Sequence, residues 1–321
     1  MRMTRRHFLA STAAAMAWTM HPAAAGTISV GGPAFGSTWR AALPDASRSA
    51  AVRELVASVV AEINQAMSPY MVQSELSAFN RTETVDWQVC SRPLADVADH
   101  ALEMSRFTDG AFDPTIGPLV NRFGFGPIHG DRVHPEDLSV STSGLRKRVS
   151  GLTLDLCGIA KGYALDRIIE GLPAVGVERA LFELGGEVRT LGYHPDGRAW
   201  QVGIERPDTE PGVMERIVAP GPLALATSGT GRQNIRFGES GVSHLIDPRS
   251  GRPVDALPAS VSVLDASAMR ADALATALMV MGMERGAAFA ETHSIPALFV
   301  RFEKGDSQEI MTGGFDAYVT A

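Results

Sequence analysis

Thiol chemistry is scarce: the 321 residues hold two cysteines, Cys90 and Cys157. There is no C-x-x-C pair and no cysteine–histidine spacing of the zinc type, so neither a dithiol redox centre nor a zinc module is encoded. One disulfide is open to an exported chain. The surroundings argue instead for two free, buried thiols, because Cys90 ends a strand-like run and Cys157 lies in a glycine-containing motif. Basic residues are also few, with 29 Lys+Arg against 36 Asp+Glu. No lysine- or arginine-rich run stands out. Without a basic face to neutralise phosphates, nucleic-acid binding is not expected. Low-complexity linkers and short-period repeats are missing too, which argues against strung-out modules or a solenoid.

What is present begins with an export signal. Residues 4–10, TRRHFLA, place paired arginines ahead of Phe8 and Leu9, and an alanine-rich apolar stretch follows. That stretch is too short to span a bilayer. HPAAAG (21–26) then supplies small residues, with cleavage expected after Ala25. The pattern is that of a twin-arginine (Tat) signal over 1–25, and no cysteine follows it to take a lipid. The expected location is periplasmic, or at the inner membrane if the signal stays uncleaved, with no stable membrane span after cleavage. Removing 1–25 takes away Arg2, Arg5 and Arg6 and no acid, so 26 Lys+Arg face 36 Asp+Glu, a net charge of −10. Residues 26–321 are then read as one domain, and a hydrophobic content of 45% supports a substantial core.

Periodicity predicts short strands mixed with a few helices. Thr27–Val30 and Ser37–Ala42 read as strands. Val52, Val56, Val59, Ile63 and Met67 recur at helical spacing across Ser49–Met67. A second helix runs from Pro93 to Phe107 and ends before Gly110. Residues 151–172 read as strand, glycine turn and helix, and 179–193 as strand, turn and strand. Further strands are expected in 199–207, 222–229 and 259–265, ahead of an apolar helix over 266–282. Hairpin-like turns outnumber crossovers. The expected class is therefore α+β, with a mixed, mostly antiparallel sheet and flanking helices.

Four segments carry chemistry. ASAMRADALATALMVMG (266–282) is apolar except for Asp272 and Thr276, which at i and i+4 share one helix face. Two oxygens so placed suit a hard cation such as Mg²⁺. The same pair also fits an acid near a helix start, with a threonine bonded to its own backbone. GAFDPTIGPLVNRFGFG (110–126) is built for shape, either as a turn fixed by Asp113-Pro114 or as a ligand loop. In LDLCGIAKGYALD (154–166), Gly158 to Gly162 stand at a helix start whose free amides suit phosphate, with Lys161 adding charge. A solvated lysine is the alternative, and the spacing is neither a Walker loop nor a dinucleotide fingerprint. In VSHLIDPRSGRPV (242–254), His244 is placed either for proton transfer or as a satisfied strand residue.

The order of these segments is more specific than any one of them. FGST (35–38), SPYMVQSELSAFN (68–80), GAFDPTIGPLVNRFGFG, LDLCGIAKGYALD, LFELGGEVR (181–189), ATSGTGR (226–232), SHLIDPRSG (243–251) and SAMRADALATAL (267–278) together resemble the ApbE family of FAD:protein FMN transferases. The resemblance runs from about Gly31 to Gly282.

The resemblance implies a Mg²⁺-dependent enzyme that moves FMN from FAD, through a phosphoester, to a Ser or Thr of a partner flavoprotein and releases AMP. It implies that Asp272, Thr276 and the Gly158 backbone carbonyl hold the metal. Phe35, Tyr70, Ala111, Phe112, Asp113, Asp155, Lys161 and Ile246 fall at positions that line the FAD site. Of these, Phe35 and Tyr70 would contact flat rings, and Asp113 and Asp155 polar parts of the nucleotide. His244 becomes the candidate base for the incoming hydroxyl. Phe35, Ser37, Cys157 and Glu187 depart from residues frequent in the family. Two alternatives share most of these residues. One is a Mg²⁺-dependent FAD pyrophosphatase giving FMN and AMP; the other is a non-catalytic flavin-binding accessory protein for respiratory reductase maturation.

Overall fold

A computed structural model describes residues 26–131, 133–206, 213–229, 245–254, 259–303 and 306–320, with the backbone of 235–237 and 240–242. Its frame is an eight-stranded sheet: β1 (Ile28–Ala34), β2 (Ser37–Leu43), β3 (Ala180–Leu184), β4 (Glu187–Leu191), β5 (Ala224–Gly229), β6 (Ser260–Asp265), β7 (Ala297–Glu303) and β8 (Asp306–Thr312). Spatial order follows chain order, and every neighbour pair in this sheet is antiparallel. The α+β expectation holds, because no pair needs the right-handed crossover of a parallel sheet.

Helices enter as insertions in this meander. Between β2 and β3 lie α1 (Ser49–Met67), α2 (Glu75–Arg81), α3 (Arg92–Phe107), α4 (Gly117–Arg122) and α5 (Ala160–Gly171). Between β6 and β7 lie α6 (Ala268–Met281) and α7 (Met283–Thr292). In α1 the predicted stripe is buried through Val52, Val56, Val59, Ile63 and Met67. In α3 a proline in the first turn starts the helix at little cost, since the N–H it lacks would have had no intrahelical partner.

Strand alternation sends Ala180, Phe182 and Leu184 into the helix-covered core and Leu181 to the opposite face. Phe182 is fully buried and stacks on Trp39 at 5.3 Å, so its truncation to alanine is expected to remove about 3–5 kcal/mol. Leu181, Val188, Leu225 and Leu264 face a second core completed by Trp200, Val202 and Val218.

Three expectations need correction. Residues 151–157 form no strand, although Leu152, Leu154 and Leu156 alternate into the core. Side chain and loop replace a ladder there: Asn80 exchanges two hydrogen bonds with the Leu154 backbone, and Asp155 N–H donates to the Pro114 carbonyl. β1 runs on past the expected end at Val30 to Ala34, through Gly31, Gly32 and Pro33; as a sheet edge it tolerates the proline. Both cysteines are free, as expected, but Cys90 is only half-buried and Cys157 is exposed.

Candidate active site

Helices α5 and α6 pack against each other, α5 also against β4, and α6 also against β5 and β6. The candidate site forms at that junction. Ser267 caps α6 by accepting the Arg270 N–H, and the helix is buried on nearly every side. An all-round apolar helix belongs inside a core. Asp272 is therefore an interior carboxylate in the second turn, 3% exposed, rather than an acid on a solvated first turn.

The absence of a cation on Asp272's own helix face is made good from α5. Lys161 Nζ lies 3.6 Å from Asp272 Oδ1 and 2.5 Å from Glu187 Oε1 at the start of β4. Lys161 is thus paired and not a solvated helix residue. Burial by itself would lower the lysine pKa; Asp272 and then Glu187 outweigh it and hold the ammonium above its ordinary value. Burial pushes the Glu187 carboxyl above its ordinary range, with Lys161 pulling the other way. Asp272 Oδ2 accepts the Gly162 N–H at 3.1 Å.

Thr276, one turn beyond Asp272, has its Oγ1 3.5 Å from Ser228 Oγ on β5. Gly158 lies alongside: a Cβ built there would be 3.4 Å from Thr276 Oγ1 and 3.2 Å from Phe112 Cε2. Gly158, far away in the chain, therefore meets the Asp272/Thr276 pair in one place. Among the described residues no group of three or more His, Cys, Asp or Glu could hold a metal ion. The donors here are mixed instead: a carboxylate, a hydroxyl and the glycine backbone. Such an oxygen set fits Mg²⁺. So does the local charge, since Asp272 and Glu187 confront the single ammonium of Lys161 and Glu187 Oε2 is buried without a hydrogen-bond partner.

The other sequence candidates surround this centre. Phe35 and Gly36 form the two-residue turn between β1 and β2, with φ of 50° and 73°, as a type I′ hairpin requires. Ser37, the next residue, approaches Gly185 beside the Lys161 stem. Ala111 and Phe112 are buried, and Asp113 is buried with Oδ1 accepting from Thr115 N and Oγ1. The Asp155 N–H bond to Pro114 ties the 155–158 loop to the 111–114 turn. Asp155 itself accepts the Cys157 N–H at 3.0 Å. Tyr70 is largely exposed; its phenol pKa is raised first by partial desolvation, then by Cys157 and Asp155, which sets it beside the same loop. Ile246 is buried in the 246–253 hairpin, which packs on α6. His244 lies outside the described residues.

The sequence marks Glu187 only as a departure and Gly162 only as part of the helix start, and it does not single out Asp166 or Ser228. One signal was available: Glu187 and Arg189 alternate onto one face of a strand, and that face meets α5.

Fold and site together define an α+β protein with a carboxylate, a hydroxyl and a paired lysine gathered where two helices meet one antiparallel sheet. The model of the ApbE family matches residues 35–299. Over 312 residues the chain is 36% identical to the FAD:protein FMN transferase of Vibrio cholerae, covering 91% of this chain and 93% of that one. The solved flavin transferase ApbE from Vibrio cholerae superposes with a TM-score of 0.80 at 35% identity, over 91% of this chain and 99% of that one. The apo Pseudomonas stutzeri flavinyl transferase ApbE gives 0.81 at 33% identity, over 92% and 97%. This chain belongs to the ApbE family.

Proposed function

We infer that this protein is an FAD:protein FMN transferase, as its relatives are named. The observation that carries the reading is the meeting of Gly158, Lys161, Asp272 and Thr276 at the α5–α6 junction. FAD is the substrate, and the acceptor is a Ser or Thr hydroxyl of a partner flavoprotein. The hydroxyl oxygen forms a bond to the FMN phosphorus, the pyrophosphate P–O bond breaks, and AMP leaves with that electron pair.

The chain's residues divide the work. Asp272, Thr276 and the Gly158 carbonyl would hold Mg²⁺, whose chemistry at this position is neutralisation of charge on the pyrophosphate oxygens. Lys161 offers a point charge to the same phosphates. Phe35 and Tyr70 supply aromatic surface for the rings, and Asp155 supplies an acceptor for polar parts of the nucleotide. Asp113 holds the 111–115 turn through Thr115 and so shapes the loop that borders the substrate. His244 is assigned the proton of the incoming hydroxyl. Export by the Tat route places the reaction in the periplasm, with residues 1–25 as the signal. No described helix is long and apolar enough to cross a membrane.

The test is incubation with FAD, Mg²⁺ and an acceptor domain, followed by acceptor mass and AMP release. An acceptor heavier by one FMN, with AMP released, supports transfer. Free FMN and AMP with unchanged acceptor would establish a pyrophosphatase, and bound FAD without AMP a binding protein. Asp272→Ala should abolish turnover, and its full activity in EDTA would remove the metal from the reading. His244→Ala at the wild-type rate would remove the base. Mass measurement of the periplasmic protein tests cleavage after Ala25.

A further inference from the structure

Lys161 faces two carboxylates unequally. Its Nζ is 2.5 Å from Glu187 Oε1, well within hydrogen-bond distance, and 3.6 Å from Asp272 Oδ1, a longer and weaker contact. The ammonium donates a hydrogen bond to Glu187, and that bond, which has a direction as well as a charge, holds the lysine on the Glu187 side. Both carboxylates are almost wholly buried, and solvent does little to even out that difference.

The backbone fixes which acid wins. Glu187 opens β4 and is registered on both sides, opposite Leu184 on β3 and Ala226 on β5. The Lys161 stem is long and flexible by comparison. It passes Gly185, at φ +66°, where a Cβ would stand 3.3 Å from Lys161 Cδ and 3.7 Å from Glu187 Oε2. The hairpin thus makes room for the lysine to reach Glu187. Without the charge at 187, the nearest remaining carboxylate for the ammonium is Asp272.

We propose that Glu187 is a positioning residue which draws Lys161 away from Asp272 and so keeps the Asp272 carboxylate open to a divalent cation. The proposal rests on the reading of Asp272 as a metal ligand. Its consequence is a dependence between residues: most of the effect of losing Glu187 on metal affinity must run through Lys161. A merely structural role for Glu187 would not show that dependence.

Mn²⁺ serves as the EPR-visible probe, titrated into the full-length protein with saturating ADP, which presents a diphosphate and carries no FMN to transfer. Glu187→Gln keeps the shape and removes the charge. It should weaken Mn²⁺ binding about tenfold to a hundredfold, the range for residues that orient metal ligands. In a Lys161→Met background the same substitution should cost far less Mn²⁺ affinity, because the competing ammonium is gone and only the direct attraction of the Glu187 charge is lost. Lys161→Gln replaces that background if the methionine variant does not fold. An equal loss in both backgrounds, or no loss in the first, overturns the role of Glu187. Asp272→Ala separates the two levels: wild-type Mn²⁺ affinity in that variant sinks the metal reading and this proposal together. Loss of Mn²⁺ binding there, with Glu187→Gln unaffected, sinks the proposal alone.

Discussion

The backbone N–H of Gly162 donates to Asp272 Oδ2 at 3.1 Å, across 110 positions of chain. This bond ties the first turn of α5, which follows Gly158, to the helix that carries Thr276. The candidate ligands therefore share one frame built by two helices in close contact. A Cβ at position 162 would stand 2.2 Å from the Ala268 carbonyl oxygen, and backbone cannot rotate aside as a side chain can. Gly162→Ala must separate the helices. The expected loss is at least about 3 kcal/mol, the upper end for overpacking, read by urea unfolding. Wild-type stability would mean the helices part freely.

Asp166, one turn further along α5, secures the same junction. It accepts from Ser267 Oγ at 2.8 Å, from the Ala268 and Met269 amides at 3.0 and 3.1 Å, and pairs with Arg189 of β4. Asp166→Ala leaves two helix-start amides and a largely buried guanidinium without that partner. A loss of about 3–5 kcal/mol is expected from denaturant midpoints, as for other broken buried pairs. A loss below about 1 kcal/mol would show that Ser267 alone caps α6.

Phe35 holds a left-handed conformation, φ 50°, that a bulky side chain adopts only under constraint. Asparagine tolerates that region, so Phe35→Asn should relieve about 1 kcal/mol of strain, offsetting part of the lost apolar burial. Stability should stay near wild type while FAD affinity falls, measured by flavin fluorescence. Unchanged FAD affinity would release Phe35 from the ring-contact role.

Burial pushes the Glu183 carboxyl from 4.5 up to about 7, against the Gly186 amide and Arg40. Between those values the folded chain binds more protons there than the unfolded chain does. Glu183 is thus most favourable to folding below pH 4.5, and that advantage is lost as pH rises through 7. Relative to wild type, Glu183→Gln should gain about 3 kcal/mol of stability between pH 4 and 8, from paired unfolding curves. A difference that does not change with pH would refute the shift.

Much of the site was legible because its chemistry is local in sequence. Asp272 and Thr276 announce themselves by lying on one face of an otherwise apolar helix, and Gly158 and Gly162 on either side of Lys161 mark a helix start. The strand-like reading of 151–157 failed because alternation reports burial on one side and not a ladder; Asn80 takes the place a neighbouring strand would fill. The extension of β1 through Pro33 was hidden because edge position is a property of the sheet, not of the segment.

By itself the sequence determined the periods of its helices and strands, the order of its motifs and hence the family, and which few polar residues stand in apolar company. Those properties depend on neighbours within a turn or two of chain. Only the tertiary structure decided who meets whom. Lys161 finds Glu187 and Asp272 across 26 and 111 residues because β4 and α6 both pack against α5. Its position between two buried acids follows from that packing. The sequence had left the same lysine as a solvated residue or a phosphate ligand.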